Sequence, residues 1–156
     1  MIHSTLGLFH FISALLAMLS GAVVITKPKG GLFHRRIGYI YVSSMLLLNL
    51  TAFQIYHLFG RFGPFHALAI VSLFCLIGGI VPALLRQRIK NWIHWHYYFM
   101  NWSIVGLYAA FWAELFTRTL PINQFWPIVL VASSITSWIG AYFIRKHAPR
   151  LLALRK

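Results

Sequence analysis

Five long apolar segments set the main constraint on this chain. They cover about residues 4–25, 37–59, 64–85, 92–117 and 122–144, and each is near the roughly 20 residues that a helix needs to cross a bilayer. Only 10% of the residues are charged, against roughly 25% in soluble domains. Because backbone groups in lipid must be paired within their own segment, we predict an all-α integral membrane protein. The short connections predict an antiparallel bundle of four core helices plus a fifth, in a single transmembrane domain over residues 1–156.

The basic residues lie almost entirely on one side of this arrangement. Only Arg61 and Arg118 fall on the side opposite the other lysines and arginines. The positive-inside rule then predicts an outer N-terminus and a cytoplasmic C-terminus. This pattern explains most of the formal net charge of +13, and it predicts a lipid bilayer and no nucleic acid as partner. The basic residues of the predicted cytoplasmic side are Lys27, Lys29, Arg35, Arg36, Arg86, Arg88, Lys90, Arg145, Lys146, Arg150, Arg155 and Lys156.

Histidines are the polar residues that composition does not explain. The chain has eight of them and a single acidic residue. His10, His34, His66 and His96 occupy one span each and alternate between the outer and the cytoplasmic half. First and third helices of an up-down bundle are diagonal, as are second and fourth, so we predict that His10 meets His66 and that His34 meets His96. His94 is expected to point away from the face of His96, because neighbours two apart lie on nearly opposite sides of a helix.

Two chemistries fit histidines inside a membrane. The first is haem b (heme b), which takes an imidazole on each axial face, with Arg35 and Arg36 beside His34 to meet its propionates. The second is a zinc or other metal ion held in the outer half, and its candidate ligands are His10, His66, Glu114 and His57.

Simpler interpretations of the same residues stay open. Arg35 and Arg36 set topology in any case, and Glu114 has the spacing for a helical ion pair with Arg118. A small transporter or proton relay would use the same buried polar side chains. The single cysteine, Cys75, lies in an apolar run and is interpreted as a packing residue.

The segment KGGLFHRRIGYIYVSSML carries a recognisable pattern: KG, three residues, HR, then a glycine and an aromatic residue. It resembles the signature of a family of bacterial membrane proteins known as domain of unknown function 2306, and it is carried by Lys29, Gly30, His34, Arg35, Gly38 and Tyr41. The later segments FHALAIVSL and HWHYYFMNWSIVGLYAAFWAE resemble the second half of that family, carried by His66, His96, Met100 and Glu114.

This resemblance implies a helical protein with several spans in the bacterial cytoplasmic (inner) membrane. It implies no activity. The arrangement is also similar, at the level of fold, to cytochrome b561-like and ferric-reductase-like proteins. We therefore expect a membrane b-type cytochrome that passes electrons across the bilayer, or to a quinone or another redox partner, with metal binding and transport as alternatives.

Overall fold

Five helices make up the part of the chain that the structure, a computed structural model, describes: residues 5–55, 60, 62–120 and 124–153. No strand occurs among these residues, so the predicted all-α fold is confirmed. Three of the helices, α1, α3 and α5, are long and apolar enough to cross a membrane. In chain order the helices are α1 (Thr5–Thr26), α2 (Leu32–Ala52), α3 (Pro64–Leu84), α4 (Trp92–Thr119) and α5 (Phe125–Ala153).

The other two helices, α2 and α4, are interrupted by polar side chains. Arg35 and Arg36 lie near the start of the 21 residues of α2. The 28 residues of α4 include two histidines near its start and the Glu114 and Arg118 pair near its end. By length and composition, three of the five predicted spans are therefore candidate membrane-crossing helices in the described part of the chain. That α2 and α4 also cross the membrane stays a prediction.

The limits of α2 differ from those predicted. The helix begins at Leu32, ahead of the two arginines, and ends at Ala52. Gly31 caps it in an extended conformation, with φ −80° and ψ 178°. The preceding Gly30 has a φ of 88°, a left-handed conformation that favours glycine and turns the chain into the helix. Arginine is a good helix former, so the helix takes in residues that hydropathy assigned to the loop. The last predicted residues of this span, 56–59, lie outside the described residues.

The fifth helix continues past the predicted limit at residue 144. It ends at Ala153 and includes most of the basic C-terminal segment. The predicted start at residue 122 lies outside the described part of the chain, and the helix begins at Phe125. Pro149 lies inside the helix. The extension places Arg145, Lys146 and Arg150 on helical turns, where their spacing fixes which face each one occupies.

Lys29 closes the C-terminal end of α1. Its ammonium donates hydrogen bonds to the backbone carbonyl oxygens of Val24 and Ile25, both at 2.7 Å, and of Lys27 at 2.8 Å. The last carbonyls of a helix have no partner within the helix, and a cation there also meets the negative end of the helix dipole. Partial desolvation lowers the pKa of the Lys29 ammonium from its usual value. The three N–H donors of the lysine ammonium match these three carbonyl oxygens.

Two compact units are formed, Met1–Leu76 and Ile77–Lys156, with the boundary inside α3. In the first unit α1 packs against α2. The buried residues of α1 are all small: Ser13, Ala17, Ser20 and Gly21. Small side chains allow two helix backbones to approach closely. On α2 the buried side chains are large: Tyr41 is 0% exposed and Met45 1%.

A buried amide ties α2 to the first half of α3. Asn49 is 3% exposed, and its Nδ2 donates to the carbonyl oxygen of Met45 at 2.7 Å and to Ser72 Oγ at 3.1 Å. Asn49 therefore forms an interhelical hydrogen bond. Asn101 behaves differently, since its Nδ2 donates within α4 to the carbonyl oxygen of Tyr97 at 2.7 Å.

In the second unit α4 packs against α5. A Cβ atom at Gly140 would collide with the methyl groups of Val105, so α5 approaches α4 closely at this point. The Tyr97 hydroxyl donates to the carbonyl oxygen of Ile144 at 2.8 Å. Towards the other end, Ala113, Val129 and Ala132 form a buried cluster. Glycine and alanine thus set the spacing of this helix pair as well.

Large apolar side chains face outwards. Leu19, Phe74 and Trp138 are 67%, 66% and 75% exposed, whereas most of the buried residues of α1 and α5 are small. A soluble protein does not expose apolar surface on this scale without a partner. Lipid chains are as apolar as leucine, so this distribution is the one expected of helices in a bilayer.

Replacing Gly140 by alanine tests the contact between α4 and α5. Since the added methyl group meets Val105, we expect Gly140→Ala to lower the free energy of unfolding by roughly 1–3 kcal/mol. Gly106→Ala is the matched control, because a Cβ there meets nothing within 4 Å. It should be neutral or stabilise the helix by under about 1 kcal/mol. Unfolding in detergent measures both. Adding Val105→Ala should restore part of the loss, and equal stability of the two glycine variants would contradict the contact.

Candidate functional site

His96 is anchored by a carbonyl oxygen of α3. Its Nδ1 lies 2.9 Å from the Gly79 oxygen, and because a carbonyl only accepts hydrogen bonds, Nδ1 must carry the proton. In the neutral ring Nε2 then holds the lone pair. Imidazoles that bind metals use this arrangement, with one ring nitrogen donating to a carbonyl or carboxylate and the other facing the metal.

Glycine at position 79 makes this anchor possible. A Cβ at Gly79 would lie 2.6 Å from Met100 Sδ and 3.1 Å from the Met100 backbone nitrogen. A Cβ at Gly78 would lie 2.9 Å from the ring of Phe99. Any larger residue would force the end of α3 away from α4 and lengthen the hydrogen bond to His96.

His94 and His96 occupy different positions on α4, as their helical phase predicted. His96 is half-buried and bonded to Gly79, while His94 is exposed. The ring of Trp92 lies 6.4 Å from that of His96. The two histidines therefore make a matched pair for experiments, one anchored and one on the surface.

His10 is also held with its proton on Nδ1. That atom lies 2.9 Å from Thr51 Oγ1. The Thr51 hydroxyl has a single proton, which it donates to the carbonyl oxygens of Leu47 at 2.8 Å and Leu48 at 3.0 Å. A Thr51 hydroxyl that donates to one of these carbonyls accepts from His10, and the neutral His10 ring then holds its lone pair on Nε2. The anchor ties α1 to α2 within the first unit.

His66 has the opposite arrangement. It is 5% exposed, and its Nδ1 accepts a hydrogen bond from the Gly63 backbone N–H at 3.1 Å. The proton of the neutral ring is then on Nε2, so His66 cannot keep this bond and coordinate a metal through Nε2. His66 is the third residue of α3 after its cap at Gly63, and its own N–H donates back to the Gly63 oxygen at 3.0 Å. The bond from the Gly63 N–H to a side chain three residues later is one half of a capping box; glycine has no side chain to supply the other half.

Two phenylalanines enclose the His66 ring. The ring of Phe62 lies 5.1 Å away, tilted by 30°, and that of Phe53 lies 6.4 Å away. Packing and capping together account for the burial of His66 at the start of α3. The sequence signal for this role is the pattern Gly-Pro-Phe-His, in which a hydrogen-bonding side chain stands three residues after a glycine cap.

His34 lies in the first turn of α2 with the two arginines. Its ring is half-buried with Nδ1 away from solvent, whereas Arg35 and Arg36 are exposed. The Arg35 N–H donates to the Gly31 oxygen at 3.2 Å, which joins this turn to the helix cap. Exposed guanidinium groups here are able to meet carboxylates or phosphates, and they equally serve to anchor the helix end.

Glu114 is held by Arg118. The Arg118 Nη2 lies 2.7 Å from Glu114 Oε1, and the two side chains are 41% and 45% exposed. This is the helical ion pair that the spacing allowed. Among the described residues, no three or more of His, Cys, Asp and Glu come together in a way that would hold a metal ion. His57, the possible fourth ligand of a metal site, lies outside the described residues.

The hydrogen-bond acceptors around the histidines were not predicted from the sequence. Thr51 and Gly79 decide the position of the ring protons, yet they are 41 and 17 residues distant from the rings they contact.

The role of His66 is open to a direct test. If it caps α3, His66→Ala should lower the free energy of unfolding by about 1 kcal/mol, the usual loss for a helix cap. His66→Gln should keep most of the stability, because a glutamine oxygen can also accept from the Gly63 N–H. Thermal unfolding in detergent compares the two. Equal losses in both variants would contradict a capping role and leave only packing.

Comparison with known proteins gives a single result. The sequence matches the family described as "Predicted membrane protein (DUF2306)" over residues 7–146. Searches of curated proteins and of solved structures give no match. The matched range runs from α1 into α5 and includes the four histidines and Glu114. Since it covers far more than half of the chain, this chain belongs to the DUF2306 family of predicted membrane proteins.

Proposed function

We propose that this protein is a membrane b-type cytochrome that carries electrons through axial imidazole ligands inside its helices. The observation that carries the proposal is the hydrogen bond from His96 Nδ1 to the Gly79 oxygen, at 2.9 Å. It holds the neutral ring in the tautomer and orientation of a metal ligand. Bound haem would supply one-electron transfer, which matches a chain with no predicted nucleotide-binding motif of its own.

His10 supports the same interpretation in the first unit. Thr51 accepts its Nδ1 proton, so His10 is prepared for coordination in the same way as His96. His66 is bonded in the reverse sense by Gly63. We therefore assign the ligand role to His10 and His96, and retain His34 as a candidate from the sequence.

Arginines next to His34 fit the anionic part of a haem. Arg35 and Arg36 are exposed, and a guanidinium group pairs with a carboxylate through two parallel hydrogen bonds. Their role would be to hold the propionates and to shift the reduction potential by their charge.

We prefer haem to zinc because a haem needs fewer protein ligands. A mononuclear zinc site takes three or four ligands, and one of its candidates, Glu114, is paired with Arg118. A haem needs only one or two protein imidazoles, and His10 and His96 could each supply one within its own unit.

The spectrum of the purified protein tests the proposal. Wild-type protein should be red with a Soret band. His96→Ala should lose more than about nine-tenths of the associated signal, whereas His94→Ala should keep it. Gly79→Ala should weaken haem binding roughly 10- to 100-fold, because it displaces the carbonyl that orients His96.

Two controls make the result decisive. Exogenous imidazole should restore part of the signal in His96→Ala by filling the vacated axial position, as it would not after a general loss of folding. Arg35→Gln and Arg36→Gln should shift the reduction potential and keep the haem. Colourless wild-type protein, or His96→Ala with an unaltered spectrum, would refute the assignment.

We further propose that all five helices cross the bacterial inner membrane, with the N-terminus outside and the C-terminus in the cytoplasm. The support is the distribution of charge: the loops after α1 and α3 and the end of α5 carry the basic residues. If only α1, α3 and α5 crossed, the loop after α3 with Arg86, Arg88 and Lys90 would lie outside, against the positive-inside rule.

Cysteine labelling distinguishes these two topologies. In a Cys75→Ala background, a cysteine in place of Arg88 should be protected from a membrane-impermeant thiol reagent in whole cells and react after lysis. A cysteine in place of Gln124, between α4 and α5, should react in whole cells. Labelling of both variants in whole cells would place both ends of α4 outside and show that α4 does not cross.

A further inference from the structure

A shallow cleft opens between the start of α4 and the end of α5, within the second unit. Its volume is about 330 Å³, some ten times the ~30 Å³ share of one water molecule in the liquid. Two polar groups, the His94 imidazole and the Tyr98 phenol, stand on the α4 wall. The α5 wall is apolar and consists of Ala148, Pro149, Leu152 and Ala153.

Basic residues of α5 border this cleft. Arg145 shares a helix face with Pro149 and Leu152, four and seven residues later, and Lys146 shares one with Pro149 and Ala153. Both basic side chains are exposed. The Lys146 ammonium lies 5.5 Å from the centre of the Tyr142 ring, on the turn before. Cationic groups therefore stand one turn from an apolar cavity.

No carboxylate side chain is available to balance these charges. The only acidic residue of the chain is Glu114, which is paired with Arg118. It lies 20 residues after His94 on the same helix, about 30 Å along the axis at 1.5 Å per residue. No acidic side chain of this protein is near enough to pair with the basic residues at this end of the unit.

The surface next to the cleft is suited to lipid. Trp138, Tyr142 and Phe143, on the preceding turns of α5, are 75%, 53% and 51% exposed. An occupant that extends from the cleft along this face must be apolar, while the part near Arg145 and Lys146 must be anionic. A phospholipid with a net negative charge combines the two.

We propose that this cleft binds one anionic phospholipid. The phosphodiester is held by Arg145 and Lys146, with Tyr98 and His94 as hydrogen-bond donors. The headgroup lies against Pro149, Leu152 and Ala153, and an acyl chain runs from Arg145 along the exposed face of Tyr142 and Trp138 towards the bilayer. The site is independent of the haem proposal and uses none of its ligands.

Binding of defined lipids to the full-length protein in detergent tests this site. Native mass spectrometry should show one phosphatidylglycerol held at least tenfold more tightly than phosphatidylcholine with the same acyl chains. Each basic residue near a membrane surface contributes about 1 kcal/mol of attraction to anionic lipid. Arg145→Gln with Lys146→Gln should therefore weaken phosphatidylglycerol binding roughly 30-fold and leave phosphatidylcholine unchanged.

Two further variants separate this site from general attraction to positive charge. Lys27→Gln with Arg88→Gln removes the same charge elsewhere and should leave the affinity within about threefold. Ala153→Phe fills the cleft from an exposed position, keeps every charge, and should weaken phosphatidylglycerol binding at least tenfold. Circular dichroism checks that each variant keeps its helices.

Three results would overturn the proposal. Equal affinity for the two lipids would remove the anionic requirement. Equal losses in the two doubly substituted proteins would show unspecific attraction to charge. Glycerol 3-phosphate that competes as well as the intact lipid would show that the phosphate alone is bound and that the acyl chain has no part in binding.

Discussion

The pairing of backbone groups in an apolar solvent is the constraint on which this structure depends. Inside hydrocarbon, every N–H and C=O must be bonded within its own helix, so the chain has no alternative to long helices. Water cannot satisfy the helix ends cheaply either, and the chain supplies its own groups there. Lys29 bonds three carbonyl oxygens after α1, and His66 bonds the Gly63 N–H at the start of α3. Side chains that look functional in the sequence are thus partly used to close helices.

Hydrophobic attraction between helices is weak in lipid, and close packing takes its place. Glycine at positions 79 and 140 brings α3 and α5 against α4. The same closeness has a chemical result at Gly79, because its carbonyl oxygen reaches His96. The close packing of α3 against α4 and the orientation of the His96 ring therefore depend on the same glycine. Substitution of Gly79 would affect both, whereas substitution of Gly140 would affect packing alone.

Hydropathy and helical phase predicted the all-α fold, the five helices and the contrast between His94 and His96. These properties follow from local composition, which a sequence displays directly. The start of α2 was misplaced because arginine is polar and yet favours helix. The roles of Thr51, Gly63 and Gly79 could not be read in advance, since each depends on which atoms another part of the chain places nearby. In His66, the hydrogen bond from the Gly63 N–H places the ring proton on Nε2, the atom that would otherwise be free to bind a metal.

The exposed Glu114–Arg118 pair has a consequence for the behaviour of the protein in acid. Ordinary proteins unfold at low pH mainly because paired carboxylates become protonated. Here a single carboxylate side chain exists, and an exposed pair of this kind contributes under about 1 kcal/mol. The usual cause of acid unfolding therefore has little to act on here, and the fold rests on the close packing of its helices instead.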